Sequence, residues 1–207
     1  MKFKRLIDII LSVIGLIVLS PIFLILIIAI KLDSKGPILF RQKRVGIHKT
    51  HFNILKFRTM KIDTPKDTPT HLLENPDQWI TKVGKFLRKT SLDELPQIIN
   101  ILKGEMSIVG PRPALWNQYD LLEERDKYGA NDIPPGLTGW AQINGRDTVT
   151  IEDKARYDGY YAEKLGLAID MKCFFGTVSS VLKRDGVLEG GTGKVEAEDT
   201  VNKEIAK

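Results

Sequence analysis

From Ile9 to Ile30 the chain is apolar for 22 residues without a charge, interrupted at Ser20-Pro21. The pattern then changes period. Residues 37–46 and 51–60 read as two strands of a small β-hairpin, the second with Phe52 and Ile54 inward and Lys56 and Arg58 sharing a face. Residues 61–76, rich in Thr, Pro and Asp, read as a loop. A helix is predicted over 77–89 with Trp79, Val83, Phe86 and Leu87 on its apolar side. Ser91-Leu-Asp-Glu94 has the form of a capping box ahead of a helix at 95–102, which Gly104 stops. Ser107 to Pro113 is a constrained loop with Arg112 between two prolines, 114–128 a helix ended by Gly129, and 134–146 a long Gly/Pro-rich loop. Two helices follow, at 151–165 and 169–183. The second carries Met171, Phe174, Phe175 and Val178, a stripe that either packs on the core or lies on a membrane surface. The fold class is therefore α+β and mostly helical. Its divisions are a membrane segment at 1–33, a cytosolic, membrane-associated body at 34–185, and a tail at 186–207 expected to be disordered.

The apolar run admits two geometries. A straight helix over 22 residues rises about 33 Å, enough to cross a hydrocarbon core of about 30 Å. Its length and the sequence after it do not fit a signal peptide. However, cations flank both ends: Lys2, Lys4 and Arg5 before, and Lys31, Lys35, Arg41, Lys43 and Arg44 after. Since positive charge favours the cytoplasmic side, a re-entrant helix bent at Ser20-Pro21 keeps both clusters there, whereas a kinked spanning helix exports one. Pro21 removes a backbone donor, and the Ser20 hydroxyl can bond a freed carbonyl one turn back.

Net charge changes the picture next. The chain is +5, but the tail has three Lys against five acids, leaving +7 for residues 1–185. Such a body suits anionic headgroups or nucleotides, and no nucleic-acid-binding motif accompanies it. Cys173 is the single cysteine, so an intrachain disulfide is excluded, and its apolar neighbours mark it as packing. His48, His51 and His71 lie in loops without ligand spacing.

The chemistry concentrates at Asp93-Glu94. Adjacent carboxylates suit Mg²⁺, which takes one or two of them plus substrate phosphates, and a carboxylate is also a competent nucleophile toward phosphorus. Arg88, Arg112, Arg146, Lys56 and Arg58 are candidate phosphate clamps, because a guanidinium meets phosphate oxygens with two parallel hydrogen bonds. The local pattern also admits a purely structural reading, with Asp93 and Glu94 serving only the helix start.

Seven stretches in order decide between these readings: Lys4-Arg-Leu-Ile-Asp8, Ser20-Pro21, Lys56-Phe-Arg-Thr-Met60, Ser91-Leu-Asp-Glu-Leu-Pro-Gln97, Gly110-Pro-Arg-Pro113, Pro135-Gly-Leu-Thr-Gly-Trp-Ala-Gln142 and Asp158-x-Tyr-Tyr161. Through them the chain, over about residues 2–188, resembles the small monotopic phosphoglycosyl transferases that initiate bacterial glycoconjugate synthesis. The resemblance implies a re-entrant helix broken at Ser20-Pro21, interfacial helices around a cytosolic catalytic domain, and both termini on the cytoplasmic face of the inner membrane. It implies Asp93 as nucleophile, Glu94 with Asp93 as Mg²⁺ ligands, a UDP-sugar and a polyprenyl phosphate as substrates, and membrane lipid as partner. It also implies a ping-pong transfer through an aspartyl sugar-phosphate with release of UMP. Nucleic acid is not expected, and a homo-oligomer is compatible with it. No residue names the sugar or the glycoconjugate pathway. Three rivals without the resemblance are a membrane-anchored adaptor, direct transfer through a ternary complex, and a phosphohydrolase.

Overall fold

A computed structural model of the protein describes residues 2–64, 76–145 and 149–183. The tail from 186, Arg146 and most of the predicted 61–76 loop lie outside these residues.

The apolar run lies within one long helix, α1 (Lys2–Asp33), which contains Pro21 and stays helical through it. Pro21 has no N–H to give the carbonyl of Ile17, and the Ser20 hydroxyl donates to that carbonyl instead at 2.8 Å. One side of α1 packs on the rest of the chain toward both ends, where Asp8, Ser12, Leu26 and Ile30 are buried. Near its start Lys4 pairs with Asp170 at 2.7 Å. Arg5 donates to the carbonyls of Ile101 and Leu102. Asp8, buried, accepts from the Ser107 hydroxyl at 2.8 Å and the Ile108 N–H at 3.0 Å. Near its end Leu26 and Ile30 are buried against Phe57 and Leu87, and Asp33 accepts from the N–H of Val83. The opposite side leaves Phe3, Leu6, Ile14, Ile17, Val18, Leu24, Ile25 and Ile28 exposed.

The hairpin forms as predicted, with shorter strands: β1 (Leu39–Val45) pairs antiparallel with β2 (His51–Phe57), Phe40 opposite Lys56. Both faces of β2 are covered. Phe52 and Ile54 join Ile101 and Met106, while Phe57 meets α1. Since β2 ends at Phe57, the two-residue period no longer carries Arg58 to the face of Lys56. Arg58 instead turns to α1 and donates to the carbonyls of Lys35 and Ser34, closing the helix's C-terminus.

The predicted 77–89 helix begins later, as α2 (Lys82–Thr90). Trp79 and Ile80 pair instead with the chain leaving β2, through Met60↔Ile80 and the N–H of Lys61 on the Trp79 carbonyl. Thr81 then caps the helix, its hydroxyl accepting from the Gly84 N–H at 2.9 Å. The capping box does not form. Ser91 is left-handed (φ 55°), ends α2, and caps nothing with its side chain. Residues 92–94 make a single 3-10 turn, and α3 (Gln97–Lys103) starts at Pro96, which has no N–H to leave unsatisfied.

The next stretches are more ordered than a loop reading allows. β3 (Ser107–Val109) pairs in parallel with β4 (Gly136–Thr138), a short helix α5 (Trp140–Ile143) follows, and the two Gly-rich segments interlock backbone to backbone. A Cβ on Gly136 would lie 2.1 Å from the Gly110 nitrogen. The helix predicted over 114–128 is α4 (Tyr119–Asp126), because Ala114 and Leu115 pair with the end of β1. α6 (Ile151–Glu163) and α7 (Leu167–Lys183) complete the body. α7 packs on the core through one side, with Ile169 and Cys173 buried with Val109 and Tyr161, while Leu167, Met171, Phe174, Phe175 and Val178 face outward. Burial pushes the Cys173 thiol up to about 11, as befits a packing residue.

Gly84 marks the tightest approach on the path to Asp93-Glu94, since a Cβ there would sit 2.0 Å from the backbone oxygen of Thr59. Gly84→Ala is expected to destabilise the fold by more than about 2 kcal/mol, read as a lowered midpoint in chemical denaturation, while Lys85→Ala on the exposed side of α2 changes it little.

Candidate active site

The left-handed Ser91 and the following 3-10 turn place Asp93 and Glu94 side by side between α2 and α3. A non-glycine residue in that conformation costs energy, and here it reverses the chain so that the two acids face β2. Lys56 leaves the face of β2 to meet both, with Nζ 2.7 Å from Glu94 Oε1 and 3.9 Å from Asp93 Oδ2. From the loop after β3, Arg112 reaches Glu94 through Nη2 at 2.8 Å. The side chains of Asp93, Glu94 and Lys56 are only 13%, 19% and 19% exposed, whereas Arg112 stays 45% exposed. Arg88, on the last turn of α2, donates Nε to the Thr59 hydroxyl at 3.0 Å, and its charge acts on Asp93.

Burial and charge divide the two acids. Burial opposes the ionisation of Glu94, but Arg112 and Lys56 together outweigh it and hold the carboxyl well below its ordinary range. For Asp93 burial wins: desolvation pushes its carboxyl up, Glu94 adds to this, and Lys56, Arg88 and Arg112 oppose it. The cations carry strain as well. Burial, together with the charge of Arg112 and against that of Glu94, lowers Arg44 to about 10. Arg44 donates to the Pro113 carbonyl at 3.1 Å and to Gln42, yet its buried Nε has no partner. Lys56, Arg112, Arg88 and Arg44 thus set four positive charges against two negative ones, a surplus that a diphosphate would neutralise.

Behind Arg112 stands a buried pair. Arg125, on α4, donates Nε and Nη2 to Asp158 Oδ2 at 2.9 and 2.6 Å, and Nη2 also to the Arg112 carbonyl at 3.0 Å. A cavity of about 340 Å³ runs from Glu94 and Arg112 past Ser91 to Asp158, Gln142 and the α7 residue Phe174.

All of these residues fall within 1–184, the stretch that matches the family model described as bacterial sugar transferase. The chain belongs to that family. Among the family's members, it is 39% identical over 199 residues to an uncharacterized sugar transferase of Bacillus subtilis (strain 168), EpsL, covering 96% of this chain and 95% of that protein. It is 43% identical over 183 residues to the UDP-glucose:undecaprenyl-phosphate glucose-1-phosphate transferase of Escherichia coli (strain K12), covering 84% of this chain. It is 36% identical over 198 residues to the undecaprenyl-phosphate galactose phosphotransferase of Salmonella typhimurium, covering 88% of it. The chain spans 39% and 41% of those two longer enzymes.

For this sugar transferase, the structure gathers Asp93, Glu94, Lys56, Arg88 and Arg112 in one cluster, while Arg58 is committed to the end of α1. Ser20 and Pro21 lie within α1. Arg44, in the sequence one of the charges flanking the apolar run, and Arg125, inside a predicted helix, join the site only through the fold. A signal for Arg44 was available: it shares a strand face with Gln42 in the strand paired to that of Lys56.

The opposed shifts of the two acids are testable by carboxyl carbon NMR. Asp93 should titrate above the ordinary 3.8, and Glu94→Gln should lower its midpoint, because the substitution removes the neighbouring negative charge and frees Lys56 and Arg112 to act on Asp93. A midpoint that stays put would show that Glu94 does not bear on Asp93, and one that rises would reverse the sign of its influence.

Proposed function

We propose that the chain transfers a sugar-1-phosphate from a UDP-sugar to undecaprenyl phosphate at a membrane surface. The observation that carries this reading is the buried Asp93-Glu94 pair under four cations, in a family whose relatives are named as an undecaprenyl-phosphate glucose-1-phosphate transferase and an undecaprenyl-phosphate galactose phosphotransferase. The two relatives differ in sugar, so the sugar is not carried over from either.

In the first half of the transfer a carboxylate oxygen of Asp93 bonds to the β-phosphorus of the UDP-sugar. The bond from that phosphorus to the bridging oxygen breaks, and UMP leaves with the electron pair. In the second half a phosphate oxygen of the polyprenyl phosphate attacks the phosphorus held on Asp93. That bond breaks, the carboxylate is restored, and a polyprenyl diphosphate sugar departs. Glu94, kept ionised by Lys56 and Arg112, anchors those two cations where the phosphates must lie. The raised Asp93 is the more basic of the pair, and basicity favours attack on phosphorus.

Mg²⁺ fits this donor set. Asp93 and Glu94 would supply two adjacent oxygens, and because no cluster of three ligating side chains occurs among the described residues, the donor's diphosphate would have to complete the coordination. When bound, the ion neutralises charge developing on the leaving phosphate. Since four cations already surround the acids, metal and diphosphate are expected to bind together.

α1 supports the membrane placement. Both of its ends are fastened to the same body, and its outer side is a row of bare aliphatic residues. A helix crossing the bilayer would draw its packing partners, α2 and α3, into hydrocarbon with it. We read α1, which stays helical through Pro21, as re-entrant, with the donor missing at Pro21 marking where it would bend in a bilayer, both termini at the cytoplasmic face and the outward side of α7 resting on the same surface. The site then lies at headgroup depth, level with the acceptor's phosphate.

Two experiments test this. Intact-protein mass spectrometry after mixing with Mg²⁺ and UDP-glucose, UDP-galactose or UDP-N-acetylglucosamine, without acceptor, should show a gain of one sugar-phosphate that Asp93→Asn abolishes and EDTA prevents. UMP release that needs the lipid acceptor and leaves no adduct would favour direct transfer. Separately, Lys2→Cys and Lys35→Cys should react with an impermeant maleimide from the same side of oriented membranes, the native Cys173 being buried and silent. Labelling from opposite sides would mean a spanning helix.

A further inference from the structure

The cavity beside Glu94 and Arg112 holds two buried oxygens that accept no hydrogen bond among the described residues, although the charge of Lys154 in the same wall acts on Asp158. Asp158 is 1% exposed, and both nitrogens that Arg125 offers it go to Oδ2. An Arg–carboxylate fork ordinarily uses both oxygens, but here Oδ1 is left with no hydrogen-bond partner. Gln142, in the same wall, donates Nε2 to the Leu137 carbonyl, which fixes the amide's sense, and its buried Oε1 also has no partner. The two threonine hydroxyls nearby are not available to either. Thr177 donates to the Cys173 carbonyl, and Thr138 is bonded to Thr177.

Two orphan acceptors in one recess call for a ligand that brings donors. At about 340 Å³ the recess is within the range of small-molecule pockets, about 300–1,000 Å³, and it adjoins the carboxylates and Arg112. We propose that it seats a hydroxyl-bearing ring of the nucleotide-sugar donor, hexose or ribose, with Asp158 Oδ1 and Gln142 Oε1 accepting from the ring hydroxyls. This rests on the transferase reading. It adds recognition residues that the reaction itself does not require. Asp158 then has two tasks, since its other oxygen holds Arg125 and, through it, the backbone of Arg112. Gln142 has no part in that chain of contacts, which makes it the cleaner probe.

The test is calorimetric binding on the Asp93→Asn protein, which cannot turn over, in lipid nanodiscs with Mg²⁺. The ligands are UDP-glucose, UDP-galactose, UDP-N-acetylglucosamine, UDP and inorganic pyrophosphate. Gln142→Leu is expected to weaken at least one UDP-sugar by roughly fivefold and Asp158→Asn by roughly tenfold, with pyrophosphate unchanged for Gln142→Leu. Loss toward UDP-sugars but not UDP assigns the hexose to the recess, and equal loss toward both assigns the ribose. Unchanged affinity for every nucleotide in both variants would overturn the proposal, as would an equal weakening of pyrophosphate by Gln142→Leu. If the protein with Asp93, Gln142 and Asp158 all intact neither binds UDP nor takes up a sugar-phosphate from any of the three UDP-sugars, the transferase reading fails as well, which is a different result from failure of the recess alone.

Discussion

The carboxylate of Glu94 is the point on which this structure turns. It is largely withdrawn from water, a position that would favour the neutral acid, and it remains an anion because Lys56 and Arg112 close on it from two sides. Those partners come from separate parts of the chain, β2 and the loop after β3, so one ionised group ties the hairpin, the α2–α3 turn and the Gly-Pro-Arg-Pro segment together. Partly buried ion pairs are weak sources of net stability, because desolvation offsets most of the attraction. What this one supplies is position. It holds two cations a few ångströms from Asp93 and leaves Asp93 itself as the more basic acid.

Support for the arrangement is spread over several small apolar groups instead of one core. Leu26, Ile30, Phe57 and Leu87 fix α2 and the start of the turn, and Phe52, Ile54, Ile101 and Met106 fix its end. Val109, Tyr161, Ile169 and Cys173 hold the far wall of the cavity. Polar contacts stitch the groups where they meet. The Tyr161 hydroxyl donates to the Val109 carbonyl at 3.0 Å and to Asp170, which itself receives Lys4 of α1. Arg125 links α6 to the backbone of Arg112 in the same way.

The hairpin, the helices after residue 150 and the long apolar helix were legible because each rests on a local rule of period or composition. So was the pairing of Asp93 with Glu94. Less legible were features set by distant contacts. Ser91 looks like an N-cap, yet the left-handed turn it adopts is dictated by the need to reverse from α2 toward β2. Arg58 follows Lys56 by two residues, yet the strand stops between them and the carbonyls ending α1 claim it. Ala114 and Leu115 fit a helix pattern until the free edge of β1 takes them. Arg125 and Asp158 are 33 residues apart, and nothing local announces their pairing.

The anchoring of α1 has a consequence for how the protein is made. Its polar fasteners are far downstream: Arg5 waits for residues 96 and 97 positions later, Asp8 for ones 99 and 100 later, and Lys4 for one 166 later. At about 5–20 residues per second, the first of these partners leaves the ribosome roughly 5–20 s after the helix does. For that interval an aliphatic segment with an unpaired acid near its start must be sheltered by lipid or a chaperone. Its final tilt is therefore decided last, by a body that folds after the helix has already formed.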